Sequence, residues 1–228
     1  MLTKVAYVLC SYLLGSISFT YLAGRLCRSI DLRQYGSRKL SASNVYPQLG
    51  ARGLVLVGIL DMGKAVLPSW LAQRLGFALP IAVLAGLAAM LGHNWPVFLA
   101  FKGGRGISAA LGTLLVVFPW GAAWLLGWVA LGRLMPRAAA VPALLGFVTL
   151  VALAMILAQP VAVTWGCVAM LSITVLKRLE ANRLPLPSDQ SVWGVLVRRL
   201  VLDRDLADFD TWTKYKPQMD PTPLRKAG

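Results

Sequence analysis

The chain has 228 residues, of which 57% are hydrophobic and only 14% are charged, and its mean hydropathy is +0.66. Because soluble domains carry about a quarter charged residues, this composition excludes an ordinary soluble protein and predicts one membrane domain. The net charge of +14 comes without zinc-ligand spacing or an aromatic stacking pattern, so we expect no nucleic-acid partner and interpret the charge as topology signals and as contacts to lipid or phosphate.

Seven apolar segments, separated by polar or proline-containing loops, predict an all-α fold with seven transmembrane helices. In chain order they cover about residues 5–26, 53–71, 77–91, 107–118, 122–131, 138–157 and 161–176. The first segment could pass for a signal peptide, but it continues into a polar motif and further segments, so we interpret it as a retained span. The fourth and fifth segments are short, and their ends therefore need contact with protein or water instead of lipid.

The basic residues set the predicted orientation. All of them except Lys4, Lys64 and Arg74 fall at the loops after the first, third and fifth segments or in the tail after the seventh. By the positive-inside rule, the N-terminus is outside and the C-terminus is cytoplasmic, in the plasma (inner) membrane. The two polar, glycine-containing loops then share the cytoplasmic face.

The chain divides into a seven-span domain at residues 1–186 and a basic cytoplasmic tail at residues 187–228. Apolar residues recur in the tail at helical spacing and predict one short helix; they are Trp193, Leu196, Val197, Leu200 and Val201. The pattern fits a helix lying on the membrane surface and a helix packed on the loops equally well. Beyond Asp203 the polar, proline-containing sequence predicts little fixed structure.

The first candidate binding loop, residues 35–45, combines small hydroxyl side chains, an amide and cations. Its polar members are Ser37, Arg38, Lys39, Ser43 and Asn44. Together they can present several donors to a phosphate, with arginine offering a planar fork that lysine lacks. A solvated loop that carries orientation charges is the alternative interpretation.

The second candidate loop, residues 92–106, places glycines between two cations directly before an apolar helix. Gly103, Gly104 and Gly106 let the backbone approach an anion closely, and Lys102 and Arg105 supply positive charge. The free amides at the start of the following helix, with the positive end of its dipole, also favour negative charge. The stretch therefore predicts a phosphate or acyl-phosphate site, with a flexible basic turn as the alternative.

His93, the single histidine, lies where the third span meets this loop and can donate a hydrogen bond or move a proton. In the widespread CoA-linked acyltransferases an aspartate follows the histidine by five residues, but Phe98 holds that position, so a dyad of that kind is absent. The cysteines Cys10, Cys27 and Cys167 are widely spaced in or beside apolar segments. We therefore expect no metal site and no disulfide framework.

Asp61 and Lys64 lie three residues apart inside the second span, on one helical face. Either charge alone is unfavourable in lipid, so the pattern predicts that they pair and face the bundle interior. Such a pair is a candidate functional site, and a structural clasp between helices is the alternative.

Four stretches in this order resemble the acyl-phosphate-dependent glycerol-3-phosphate acyltransferases of bacterial membranes. Residues 15–19 read Gly-Ser-Ile-Ser-Phe for the family's Gly-Ser-Ile-Pro-Phe, and residues 35–45 open with Tyr-Gly-Ser and end with Ala-Ser-Asn-Val for its Ala-Thr-Asn-Val. Residues 61–64 match its Asp-x-x-Lys element. Residues 92–106 match its long motif from Gly-His to Lys-Gly-Gly-Lys-Gly, with Trp95 and Arg105 as changes. The resemblance covers about residues 5–184.

This resemblance implies acyl transfer from acyl phosphate to the 1-hydroxyl of glycerol 3-phosphate, giving lysophosphatidate and phosphate in phospholipid synthesis. It implies no metal, no cofactor and no covalent acyl-enzyme. Membrane lipid and a soluble enzyme that supplies acyl phosphate are the expected partners. By position, Ser37, His93 and Lys102 are the implied catalytic residues. The implied substrate-binding residues are Arg38, Lys39, Ser43, Asn44, Lys64, Gly103, Gly104, Arg105, Gly106 and Arg178.

The chain departs from the family pattern at several expected phosphate contacts. Residues 46–47 read Tyr-Pro where the family has an arginine, residues 136–138 read Pro-Arg-Ala where it has a serine, and the segment after the seventh span keeps only Arg178, Arg183 and Leu184. These changes motivate an alternative, a catalytically altered relative that binds or senses phospholipid precursors without turnover. A small transporter or channel is a third hypothesis, which no inverted repeat supports.

Overall fold

The computed structural model describes residues 1–183, 190–206 and 208–210, and within these ranges every regular element is helical. The α-helices are α1 Leu2–Gly15, α2 Phe19–Arg28, α3 Ala42–Arg74, α4 Leu79–Asn94, α5 Ile107–Val117, α6 Pro119–Arg133, α7 Ala140–Ile156, α8 Val161–Glu180 and α9 Val192–Leu202. Short 3-10 turns lie in the connections.

Four stretches are long and apolar enough to cross a bilayer: Leu2–Arg28, Asn44–Arg74, Leu79–Leu99 and Val161–Glu180. Helices α5 and α7 are apolar but shorter. Large apolar side chains such as Val55, Leu56 and Ile59 on α3 are exposed, as expected of a protein whose outer surface faces lipid. The all-helical prediction is confirmed for the described residues, whereas the count of seven spans stays a prediction.

Helix α4 is the central helix of the bundle and packs against α1, α3, α5 and α8. It can do so because small residues line it, and lipid-embedded helices approach closely where side chains are small. A methyl group added at Gly92 would lie 2.2 Å from the Tyr12 carbonyl oxygen, and one at Gly15 would lie 2.2 Å from that of Ala89. The α1–α4 contact is therefore backbone against backbone.

The first predicted span is two helices instead of one. Helix α1 ends at Gly15, and α2 begins at Phe19 after Ser18, whose backbone is extended and whose hydroxyl accepts a hydrogen bond from the Tyr21 amide. Serine is a favoured N-cap because its oxygen satisfies an amide that the helix leaves free. The break turns α2 onto α3.

The predicted loop over residues 27–52 is wrong in its second half, because α3 already begins at Ala42. The helix is interrupted at Gly50, whose φ of 70° and ψ of −172° are non-helical. This backbone region is essentially restricted to glycine. The polar start of α3, which carries Asn44, therefore points in a different direction from the apolar part of the helix.

The helix predicted in the tail is present as α9, and it packs against α7 and α8. Val195 and Arg199 are buried on its inner side, whereas Trp193 and Val197 are exposed. Packing on the bundle is thus what the structure shows, and contact of the outer side with the membrane stays a prediction. After Asp203, Asp205 pairs with Arg199. Residues 184–189, 207 and 211–228 lie outside the described part of the chain, so the expectation of little fixed structure in the tail stays a prediction.

Candidate active site

The two polar loops predicted to share one face are in direct contact at Gly104. A methyl group added there would lie 2.1 Å from His93 Nε2 and 2.6 Å from the carbonyl oxygen of Leu40. The Gly104 amide also donates to the His93 carbonyl at 3.0 Å. Glycine is required at this position because it lets the first loop, His93 and the glycine stretch meet with no side chain between them.

Local backbone geometry builds the glycine stretch. Ala100 and Phe101 have φ values of 52° and 63°, and Gly106, with φ 76°, is the N-cap of α5. These left-handed residues reverse the chain between α4 and α5. The first amides of α5 have no partner within the helix, so they add positive potential at its start.

Two buried cations, one from each loop, converge on a single carboxylate of the tail. Asp203 Oδ1 lies 2.7 Å from Arg105 Nε and 2.9 Å from Lys39 Nζ. Lys39 Nζ also donates to the backbone carbonyl of Asp203. Arg105 Nη1 donates to the Lys177 carbonyl at 3.2 Å, while its buried Nη2 has no hydrogen-bond partner among the described residues. The cluster therefore holds two buried cations against one carboxylate.

The charges in this cluster act strongly on one another because the groups are buried. Burial, together with the like charge of Arg105, lowers the pKa of Lys39 to about 7 against the attraction of Asp203. For Asp203, burial raises the pKa, but Arg105, Lys39 and Arg178 together outweigh it and hold that pKa below the ordinary aspartate value. At neutral pH, Asp203 is therefore ionised.

His93 has an acidic neighbour, which comes from another helix. Asp61 Oδ1 lies 3.6 Å from His93 Nδ1 and 3.0 Å from Lys64 Nζ, and Thr20 donates to Oδ2 at 3.4 Å. The predicted pairing of Asp61 with Lys64 inside the bundle is thereby confirmed. The sequence pattern tests for an acid only close to His93 in the chain, so sequence reasoning missed the contact with Asp61.

In the first loop the structure separates two roles. Ser37 Oγ is buried without a hydrogen-bond partner among the described residues, so one hydrogen-bonding group of this loop is left unsatisfied. Asn44 uses its amide to donate to the carbonyls of Leu32 at 2.7 Å and Lys39 at 3.1 Å, and it therefore shapes the loop. The side chain of Ser43 lies outside the described part of the structure.

Other predicted site residues lie apart from the buried cluster or hold the fold around it. Lys102 is exposed, in contrast to the buried Lys39 and Arg105. Lys64 donates to the Ile17 carbonyl at 2.8 Å in addition to its ion pair. Arg178 donates to the carbonyls of Ala140 and Leu200, both at 2.8 Å, so it fastens α9 to α7 and α8.

Three residues of the site carried no signal that sequence reasoning used. Asp203 lies outside the resemblance. Lys177 is fully buried, pairs with Glu180 at 2.9 Å and lies 4.8 Å from the centre of the Trp95 ring. Asn182 donates to the Gly103 carbonyl at 3.2 Å and leaves its buried Oδ1 without a partner among the described residues. All three could be found only from their positions in the folded chain.

Comparisons with known proteins agree on one family. The family model described as glycerol-3-phosphate acyltransferase matches residues 5–185. Glycerol-3-phosphate acyltransferase 5 of Dehalococcoides mccartyi is 34% identical over 92% of this chain and 93% of its own length. The crystal structure of PlsY, an integral membrane glycerol 3-phosphate acyltransferase, in its glycerol 3-phosphate form is similar with a TM-score of 0.72 and 30% identity, covering 78% of this chain and 89% of that chain. Its lysophosphatidic acid form is similar with a TM-score of 0.69 and 29% identity over the same shares.

Proposed function

This chain belongs to the glycerol-3-phosphate acyltransferase family, and we propose that it transfers an acyl group from acyl phosphate to the 1-hydroxyl of glycerol 3-phosphate. The products are lysophosphatidate and inorganic phosphate, which serve phospholipid synthesis. The observation that carries the proposal is that His93 and the Leu40 carbonyl both approach Gly104, which joins the two loops beside the buried cations Lys39 and Arg105. The solved relatives in glycerol 3-phosphate and lysophosphatidic acid forms support it.

The reaction needs a binding site for charged phosphate and an oriented hydroxyl. The hydroxyl oxygen attacks the acyl carbonyl carbon, the bond from that carbon to the phosphate oxygen breaks, and the departing phosphate takes the hydroxyl proton. Arg105, Lys39 and the free amides at the start of α5 stabilise the charge that develops on the phosphate. His93, held by Asp61 through Nδ1, orients the acceptor hydroxyl, and Ser37 Oγ supplies a further donor.

The chemistry belongs on the cytoplasmic side of the membrane in this proposal. The seven apolar segments predict the spans, and the distribution of basic residues predicts an outer N-terminus and a cytoplasmic C-terminus. The buried cations Lys39 and Arg105 belong to the two loops on that side. A soluble enzyme that makes acyl phosphate could then deliver it directly to the site.

The decisive assay supplies acyl phosphate and glycerol 3-phosphate to the full-length protein in lipid vesicles and measures lysophosphatidate. We expect Arg105→Ala to reduce formation at least about tenfold, since a charge-assisted hydrogen bond contributes about 1.5–3 kcal/mol. Arg74→Ala, which removes an exposed arginine, is the matched control and should keep full activity. Equal activity of both variants would refute the proposed site.

Two further outcomes of this assay separate the remaining alternatives. The sequence-based assignment of Lys102 to catalysis predicts the same loss for Lys102→Ala as for Arg105→Ala, whereas its exposed position predicts a smaller loss. Binding of glycerol 3-phosphate by the wild-type protein without any product would instead favour the catalytically altered relative.

A further inference from the structure

Asp203 is an anion that the protein itself supplies to the buried cation pair. It follows α9 directly, and 98 residues separate it from Arg105 in the chain. Its Oδ1 lies within 3 Å of both Arg105 Nε and Lys39 Nζ, at 2.7 and 2.9 Å. Arg105 is 6% exposed and Lys39 is 4% exposed. An anion at this point therefore changes the net charge of a buried cluster.

The segment that carries Asp203 is fastened by contacts that do not involve these two cations. Arg199 donates two hydrogen bonds to Asp205, from Nε to Oδ1 at 2.7 Å and from Nη2 to Oδ2 at 3.1 Å. Arg178 donates to the Leu200 carbonyl at 2.8 Å. Contacts before and after Asp203 in the sequence therefore hold its carboxylate at the cation pair.

A carboxylate is a weaker ligand for this pair than a phosphate group. It carries one negative charge and two oxygens, whereas a phosphate monoester carries close to two charges and three acceptor oxygens at neutral pH. Arg105 Nη2, buried and without a partner among the described residues, leaves one donor that Asp203 does not satisfy. A phosphate can use this donor as well.

We propose that Asp203 is a tethered counter-ion of the phosphate site, which a phosphate group of the substrate displaces from Lys39 and Arg105. In the resting protein Asp203 supplies one negative charge to both buried cations. By competing for the same cations it sets the apparent affinity for phosphorylated substrates, and it promotes release of inorganic phosphate. The inference rests on the proposed function for the identity of the substrate, but the displacement itself is a binding property.

The test measures binding of inorganic phosphate to the full-length protein in lipid nanodiscs by calorimetry. We expect Asp203→Asn to lower the Kd for phosphate about tenfold or more, because the competing charge is gone and a charge-assisted contact is strengthened. Asp210→Asn removes a charge from the same tail at an exposed residue and should leave the Kd unchanged. An unchanged or higher Kd in Asp203→Asn, with or without a lower Tm, would make Asp203 a structural clasp and overturn the proposal.

A second variant covers the case in which Asp203→Asn does not fold. Asp205→Asn keeps the Asp203 charge but weakens the contact with Arg199, so the tether loosens and the Kd for phosphate should fall by a smaller factor. An unchanged Kd in this variant, with normal phosphate binding by the wild type, would also overturn the proposal.

Failure of the proposed function is distinguishable from failure of this inference. If Asp203→Asn binds phosphate more tightly while no variant forms lysophosphatidate, the counter-ion proposal stands and the proposed reaction does not. If the wild type forms lysophosphatidate and the Kd for phosphate and the KM for both substrates are the same in Asp203→Asn, only the counter-ion proposal fails.

Discussion

Asp61 has two basic neighbours inside the helix bundle, and each contact has a different consequence. The ion pair with Lys64 at 3.0 Å neutralises a charge that is unfavourable away from water. The contact with His93 Nδ1 at 3.6 Å favours the ring orientation in which Nε2 is directed to Gly104. Asp61 is therefore paired inside the fold, and we expect it also to position His93.

Double substitution separates these two consequences. We expect Asp61→Asn to lower the free energy of unfolding by about 3–5 kcal/mol, because Lys64 is left buried and unpaired. Adding Lys64→Met should restore most of this stability, measured by thermal unfolding in detergent. Lysophosphatidate formation by the double variant should remain about a hundredfold below that of Lys64→Met alone. Equal activity of these two proteins would show that Asp61 has a structural role only.

Lys39 gives the anion site a dependence on pH. Its pKa of about 7 reflects burial and the charge of Arg105, opposed by Asp203, so the ammonium group loses its proton as pH rises through neutrality. Sulfate, which keeps two charges throughout this range, should therefore bind more weakly at pH 8 than at pH 6. Lys39→Arg stays protonated and should bind sulfate with nearly constant affinity. If calorimetry gives both proteins the same pH dependence of sulfate affinity, Lys39 is not the cause of that dependence.

The bend in α3 is the feature that positions the first loop. Gly50 has φ 70° and ψ −172°, and a methyl group there would meet no atom within 4 Å. Any effect of Gly50→Ala therefore comes from the backbone alone. We expect a loss of about 1–3 kcal/mol in unfolding free energy, seen as a lower Tm. Gly58→Ala, also with open space around it but within the regular helix, should not lower the Tm.

Apolar segments predicted most helices, whereas the polar start of α3 and the polar cap of α2 were missed. The seventh segment was predicted to begin at residue 161, where α8 begins, because a long apolar run has few other stable arrangements in lipid. The start of α3 at Ala42 was missed because its first residues are polar and contain a proline. The break before α2 was missed because the Ser18 cap lies within an apolar run.

The site was predictable only where residues adjacent in sequence form it. The glycine stretch and His93 stood out because their spacing has a local meaning, namely a tight turn before a helix. Asp203 reaches Arg105 through the packing of α9, and no local pattern encodes that distance. Lys102 and Arg105 looked equivalent in sequence, and only their burial in the fold distinguishes them.

At the scale of the whole molecule, the protein is built around α4, with one charged cluster buried inside the bundle. Asp61, Lys64 and His93 are all less than 9% exposed, at 3%, 3% and 8%, although apolar side chains dominate the outer surface. The close contact of α1 with α4 at Gly15 and Gly92 fixes the helices that surround this cluster. The buried cluster therefore lies among closely packed helices, and Asp203 of the tail contacts Lys39 and Arg105.

The shortness of α5 has a consequence for the surrounding lipid. Its 11 residues rise roughly 16 Å, about half the ~30 Å of a hydrocarbon core, so Gly106 and Phe118 cannot reach opposite surfaces of an undeformed bilayer. Most of α5 is buried, including Ala109, Ala110 and Leu114, but Leu115 is 48% exposed. Where that side of α5 faces lipid, the hydrophobic mismatch is relieved by local thinning. Turnover in vesicles should accordingly decline as the lipid chains are lengthened, at constant headgroup composition, which makes membrane thickness itself a control on the rate of lysophosphatidate formation.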